Sequence, residues 1–124
     1  MDFMPRDPAQ KPVELRLNGS NLVLKAIFLN GKKLDQKEYD IKDEELILKR
    51  PPERAFKLTV HNTINPKANT ALEGLYLSSG HYCTQCEAEG FRKITYFIDR
   101  PDMMSKFKTK IIAPKIKYPY LLSN

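Results

Sequence analysis

Apolar residues recur at every second position along this chain in short runs, and turn residues separate the runs. Val13, Leu15 and Leu17 alternate with Glu14 and Arg16, the pattern of a strand with one face toward a core and one toward water. Asn18-Gly19 closes that run, and a richer apolar stretch over residues 21–29 ends at Asn30-Gly31. Two Asn-Gly pairs flanking strand-like runs predict hairpins, because a type I′ turn needs positive φ at both central positions. Polar residues 32–37 lead to Tyr39 and Ile41, a turn at Asp43-Glu44, and then Leu46, Ile47 and Leu48. Arg50-Pro51-Pro52-Glu53 reads as a loop, after which Phe56, Leu58 and Val60 alternate with Lys57 and Thr59.

The second half repeats the theme. Leu75 and Leu77, then residues 82–86, read as two strand pieces joined around Ser78-Ser79-Gly80. An extended continuation would turn Cys83, Gln85, Glu87 and Glu89 to one face. Lys106, Lys108 and Lys110 alternate with Phe107, Thr109 and Ile111, which predicts a further strand, half solvated or guarded at an edge by its lysines. Helical turns are expected only around residues 91–96 and 100–105, where Pro101 can occupy a first helical position. No long 3.6-residue period occurs. The expected fold is therefore all-β, an antiparallel β-sandwich with one or two short helical turns. Residues 1–12, with Pro5, Pro8 and Pro12, are expected to form a poorly ordered lead to a single domain over residues 13–124.

Composition narrows the function classes. With 124 residues and 41% apolar content there is material for one modest core and not for two. No apolar run reaches the roughly eighteen residues of a membrane span. The N-terminus lacks the basic and apolar regions of a signal peptide, so a cytoplasmic location is expected. The net charge of +6 is unevenly placed: residues 1–90 hold 13 Lys/Arg against 13 Asp/Glu, and residues 91–124 hold 8 against 2. A basic tail can mark nucleic-acid contact, but lysines alternating with apolar residues fit a guarded strand better, and no nucleic-acid partner is expected.

The two cysteines, Cys83 and Cys86, form a lone C-x-x-C. That is half of a four-ligand zinc site, and His61 and His81 do not complete it at H-x₃₋₅-H spacing. A redox pair would want a helix N-terminus to lower the thiol pKa, whereas the flanking residues read as strand. Incidental thiols in a reducing compartment are expected, with a disulfide catalyst as the alternative. Gln85, Glu87 and Glu89 on one face without an interleaved cation are more unusual, since buried carboxylates are costly unless paired. Two explanations stand at this point. The group awaits an external ammonium, or it is a solvent-facing strand end or is satisfied by Arg92 and Lys93.

Residues 69–92, ending in Cys-Thr-Gln-Cys-Glu-Ala-Glu-Gly-Phe-Arg, and the run Lys93-Ile-Thr-Tyr-Phe-Ile-Asp-Arg-Pro-Asp102 that follows resemble the N-terminal β-domain of the bacterial aminopeptidase N family. These enzymes are zinc-dependent exopeptidases. The resemblance continues through Thr109-Lys-Ile-Ile-Ala113 and residues 115–124, and more weakly back to about Leu15. It implies that Gln85 and Glu87 are substrate-binding residues, with Glu87 on the α-amine of a peptide N-terminus and Gln85 facing the first side chain and backbone. The family's H-E-x-x-H zinc helix, its downstream glutamate ligand, its G-A-M-E-N strand and its transition-state tyrosine have no counterpart in these 124 residues. The chain is thus expected to hold no zinc, to be inactive alone and to need the missing catalytic domain. The family's strands before Leu15 are replaced by the proline-containing lead, and self-association through the sheet edge this would expose is expected. The alternative is a stand-alone β-sandwich interaction module without catalysis.

Overall fold

Leu15 and Leu17 face Leu48 and Leu46 across an antiparallel ladder between β2 (Leu15–Asn18) and β6 (Glu45–Leu48). The intervening Arg16 points to water, where Glu14 and Glu45 hold its guanidinium. β5 (Tyr39–Lys42) pairs with the other edge of β6, giving a three-stranded sheet in the order β2-β6-β5. A second sheet has the order β1-β7-β3-β4, with β1 (Asp2–Phe3), β3 (Val23–Leu29), β4 (Lys32–Lys33) and β7 (Phe56–Thr63). All its pairings are antiparallel, and the β3–β7 register shifts between Leu24 and Ala26. The computed structural model describes residues 1–4 and 13–123.

The two sheets meet through one apolar cluster. Leu17, Leu46 and Leu48 come from the three-stranded sheet, Ile27, Phe56 and Leu58 from the four-stranded one, and Leu34 and Tyr96 close its margins. Burying a side chain of the Leu or Phe class is worth about 1.5–3 kcal/mol, so these alternating positions supply the driving force for the expected sandwich. A separate hairpin of β8 (Gly74–Ser78) and β9 (His81–Gln85) leads into the candidate site segment. Among the described residues, helix is confined to 3-10 turns at Gln36–Glu38 and Phe91–Lys93. The second falls within the expected 91–96 stretch. Around residues 100–105 the chain makes only a turn closed by Met103 N–H on the Arg100 carbonyl.

Three expectations need correction. Asn18-Gly19 does not make a hairpin: β2 pairs with β6, while β3 belongs to the other sheet. The backbone there is engaged elsewhere, with Asn18 N–H on the Phe97 carbonyl at 2.7 Å and Gly19 N–H on Glu44 at 2.8 Å. Within the lead, residues 1–4 are structured, since Phe3 pairs with Phe56 and stacks on its ring at 5.1 Å; residues 5–12 lie outside the described part. Residues 104–123 form no strand despite the lysine alternation. A strand needs a ladder partner, and no described segment forms a ladder with this one. It is held instead by aromatic contacts of Phe107 with Phe91 and Phe97 and of Tyr118 with Tyr82.

Candidate functional site

β9 ends at Gln85, opposite Gly74 of β8. There the chain leaves the ladder and folds into a tight turn, closed by Gly90 N–H on the Cys86 carbonyl at 2.9 Å. The turn contains a cis peptide between Glu87 and Ala88. A Cβ at Gly90 would stand 2.6 Å from the Gln85 carbonyl oxygen and 3.1 Å from Cys86 Cα, so only glycine lets the turn come this close to the strand end. The extended alternation expected through Glu89 therefore stops at Gln85. Gln85, Glu87 and Glu89 do not share one strand face.

The turn instead gives the carboxylates different surroundings. Glu89 sits 2.9 Å from Arg92 Nη2. Glu87 is exposed, and its carboxylate has no hydrogen bond or ion pair among the described residues. Gln85 is exposed beside it, its Nε2 donating to the Glu87 carbonyl at 3.3 Å. Both cations that could have neutralised Glu87 are held elsewhere. Lys93 Nζ is 3.6 Å from Glu73, and Arg92 is gripped by Asp99, which is only 6% exposed. Salt bridging thus accounts for Glu89 and not for Glu87, whose exposure fits a solvent-facing carboxylate as well as one that awaits an ammonium.

Asp99 is the group that sequence reasoning missed. Its Oδ2 accepts from the Arg92 amide at 2.9 Å and from Arg92 Nε at 3.0 Å, while Arg92 Nη2 donates to the Asp99 carbonyl at 2.6 Å. The Asp99 amide donates to Asn18 Oδ1 at 3.2 Å, which ties the turn to β2. The spacing of seven residues across a short 3-10 turn matches no motif, and only the folded chain shows it.

The cysteines are free thiols, and burial followed by the nearby Asp99 charge pushes the Cys86 thiol up from its ordinary value. That direction opposes a reactive thiolate. Among the described residues no three His, Cys, Asp or Glu side chains converge as a metal site. A cavity of about 530 Å³ lies between β1, β7 and residues 103–107, lined mainly by apolar groups such as Phe3, Leu58, Phe91 and Met104. No helix among the described residues is long and apolar enough to cross a membrane.

Comparison with known proteins gives this geometry its context. The chain is 56% identical over 112 residues to aminopeptidase N of Escherichia coli and 50% identical over 110 residues to that of Caulobacter vibrioides, in each case over 89% of this chain and 12% of the relative. In structure it is similar to Legionella pneumophila aminopeptidase A, solved in complex with aspartic acid, with a TM-score of 0.85 and 36% identity over 91% of this chain and 13% of that one. The chain spans about an eighth of the length of these relatives. The peptidase M1 N-terminal domain family matches residues 7–124, nearly the whole chain including the site-bearing turn, and the chain belongs to that family.

Proposed function

We propose that this chain is the substrate-recognition wall of a zinc-dependent aminopeptidase that removes N-terminal residues from peptides. Glu87 would receive the α-ammonium of the substrate, and Gln85 would face its first residue. The observation that carries this reading is the exposed Glu87 carboxylate without a cationic partner among the described residues, while Arg92 and Lys93, five and six residues on, are held by other carboxylates. An ammonium arriving there meets an uncompensated charge, and a charge-assisted hydrogen bond to it is shorter and stronger than a neutral one. Selecting a free α-ammonium confines cleavage to the chain end. The Legionella relative bound to aspartic acid, a free amino acid, fits the same chemistry.

The catalytic metal and its base would come from the domain absent from these 124 residues, which also has to exclude water before one exposed carboxylate can bind an amine usefully, because an open ion pair is worth only about 0–1 kcal/mol. Alone, the chain is expected to hydrolyse no aminoacyl reporter and to hold no stoichiometric zinc; elemental analysis finding one tightly bound zinc per chain would contradict this. The free thiols suit a reducing compartment such as the cytoplasm.

The direct test uses E. coli aminopeptidase N with its matched segment replaced by this one. Glu87→Gln is expected to raise KM for aminoacyl reporters about 10–100-fold, the equivalent of losing a bond to a charged group worth ~1.5–3 kcal/mol. An unchanged KM would remove Glu87 from the site. The exposed apolar side chains of residues 104–123 favour a second reading, an interaction module; a chimera indifferent to Glu87 would support it.

A further inference from the structure

We propose that Asp99 is a positioning residue that keeps Arg92 off Glu87 and so leaves Glu87 available to a substrate ammonium; this rests on the reading of Glu87 above. Arg92 follows Glu87 by five residues, across a turn that Gly90 closes onto Cys86. A guanidinium so placed is the natural internal competitor for any ammonium that Glu87 should bind. It does not compete, because Nε and Nη2 are held away from Glu87. Nε goes to Asp99 Oδ2 at 3.0 Å, and Nη2 goes to the Asp99 carbonyl at 2.6 Å and to Glu89 at 2.9 Å.

The competition is settled by burial. Asp99 is almost fully buried, and its carboxylate also accepts the Arg92 amide at 2.9 Å. Removing the partner of a buried carboxylate leaves an uncompensated charge, whereas an exposed carboxylate loses little when unpaired. Arg92 therefore stays with Asp99, and Glu87 stays free. The position of Asp99 is set in turn by β2, through Asn18 Oδ1 on its amide and the Asn18–Phe97 backbone pair. The anionic character of the site is thus maintained by a carboxylate that touches no substrate.

The experiment uses the chimera described above and reads KM and kcat separately. Asp99→Asn removes the buried charge that holds Arg92 Nε and leaves only Glu89 and the residue-99 carbonyl on Nη2. That weakens the hold and lets the guanidinium turn toward Glu87, so KM rises about 5–10-fold with kcat unchanged, the mark of lost ground-state binding. The double variant Asp99→Asn/Arg92→Gln removes the competitor and returns KM to within about twofold of the parent. A purely structural role for the pair predicts a double variant at least as impaired as the single one, and that result would overturn the proposal. Glu87→Gln separates the two claims. If it leaves KM unchanged, the reading of Glu87 fails; if it raises KM while Asp99→Asn does not, only the positioning role fails. A second measurement needs no catalysis. In NMR spectra of the 124-residue chain, Arg92 Nε–H is expected to contact Asp99 in the parent and Glu87 in Asp99→Asn, and a guanidinium in that variant that reaches no Glu87 proton counts against the proposal.

Discussion

Gly19 has the tightest surroundings of any glycine in the chain: a Cβ there would lie 2.3 Å from two ring carbons of Tyr96 and 2.9 Å from Leu22. Tyr96 is buried and has no room to swing away. Gly19→Ala should therefore destabilise the fold by about 1–3 kcal/mol, the usual cost of overpacking, read as a lower denaturation midpoint with an unchanged slope. Tyr96 also shapes the response to pH, together with Cys86. Burial raises both groups above their ordinary values of 10.0 and 9.0, with Asp99 adding to the effect at Cys86. An acid whose folded-state pKa is raised binds its proton more tightly in the folded state. Its contribution is complete below the unfolded pKa and is lost as pH rises through the folded one. Thermal stability should thus hold level between about pH 7 and 9 as far as these groups are concerned, and fall above that window. Tyr96→Phe should soften the fall, and an alkaline limb identical to the parent's would show that Tyr96 takes no part.

Among the elements, turns with two left-handed residues were the most legible. Asn30-Gly31 joins β3 to β4 with φ of 49° and 85°, Asp43-Glu44 joins β5 to β6 with 51° and 62°, and Ser79-Gly80 joins β8 to β9 with 48° and 83°. Gly31→Val should cost about 1–2 kcal/mol, because a side chain at positive φ meets the carbonyl oxygen, and a stability curve unchanged by it would exclude the type I′ assignment. The alternating runs likewise announced their buried members, and Leu46→Ala in the core should cost about 2–5 kcal/mol in the same measurement. Pairing was harder to foresee. Asn18-Gly19 has the same letters as Asn30-Gly31, yet its amides bond to residues 97 and 44, and no local pattern reveals a partner that distant. The site shows the same division. Gln85 and Glu87 were proposed as site residues from a family motif, whereas the turn that breaks the strand after Gln85 and the grip of Asp99 on Arg92 arise only from tertiary packing.

At the level of the molecule, residues 104–123 leave Met104, Phe107, Ile112, Ile116, Tyr120 and Leu122 in water. An apolar, strand-prone segment without a ladder partner tends to recruit one. The isolated chain is expected to self-associate through it, seen as a sedimentation coefficient that rises with concentration. Deleting residues 104–124 should weaken that rise, and a parent that sediments as a monomer at all concentrations would refute the expectation. The bond between Asn18 and Asp99, 81 residues apart, also bears on kinetics. Closing so long a loop has a high entropic cost and gains little until both ends are already ordered. The turn bearing Glu87 hangs on that closure through Arg92, so it should be among the last parts to acquire protection in pulse-labelled refolding. A newly made chain would then pass through a period in which its sandwich is built and its proposed recognition surface is not.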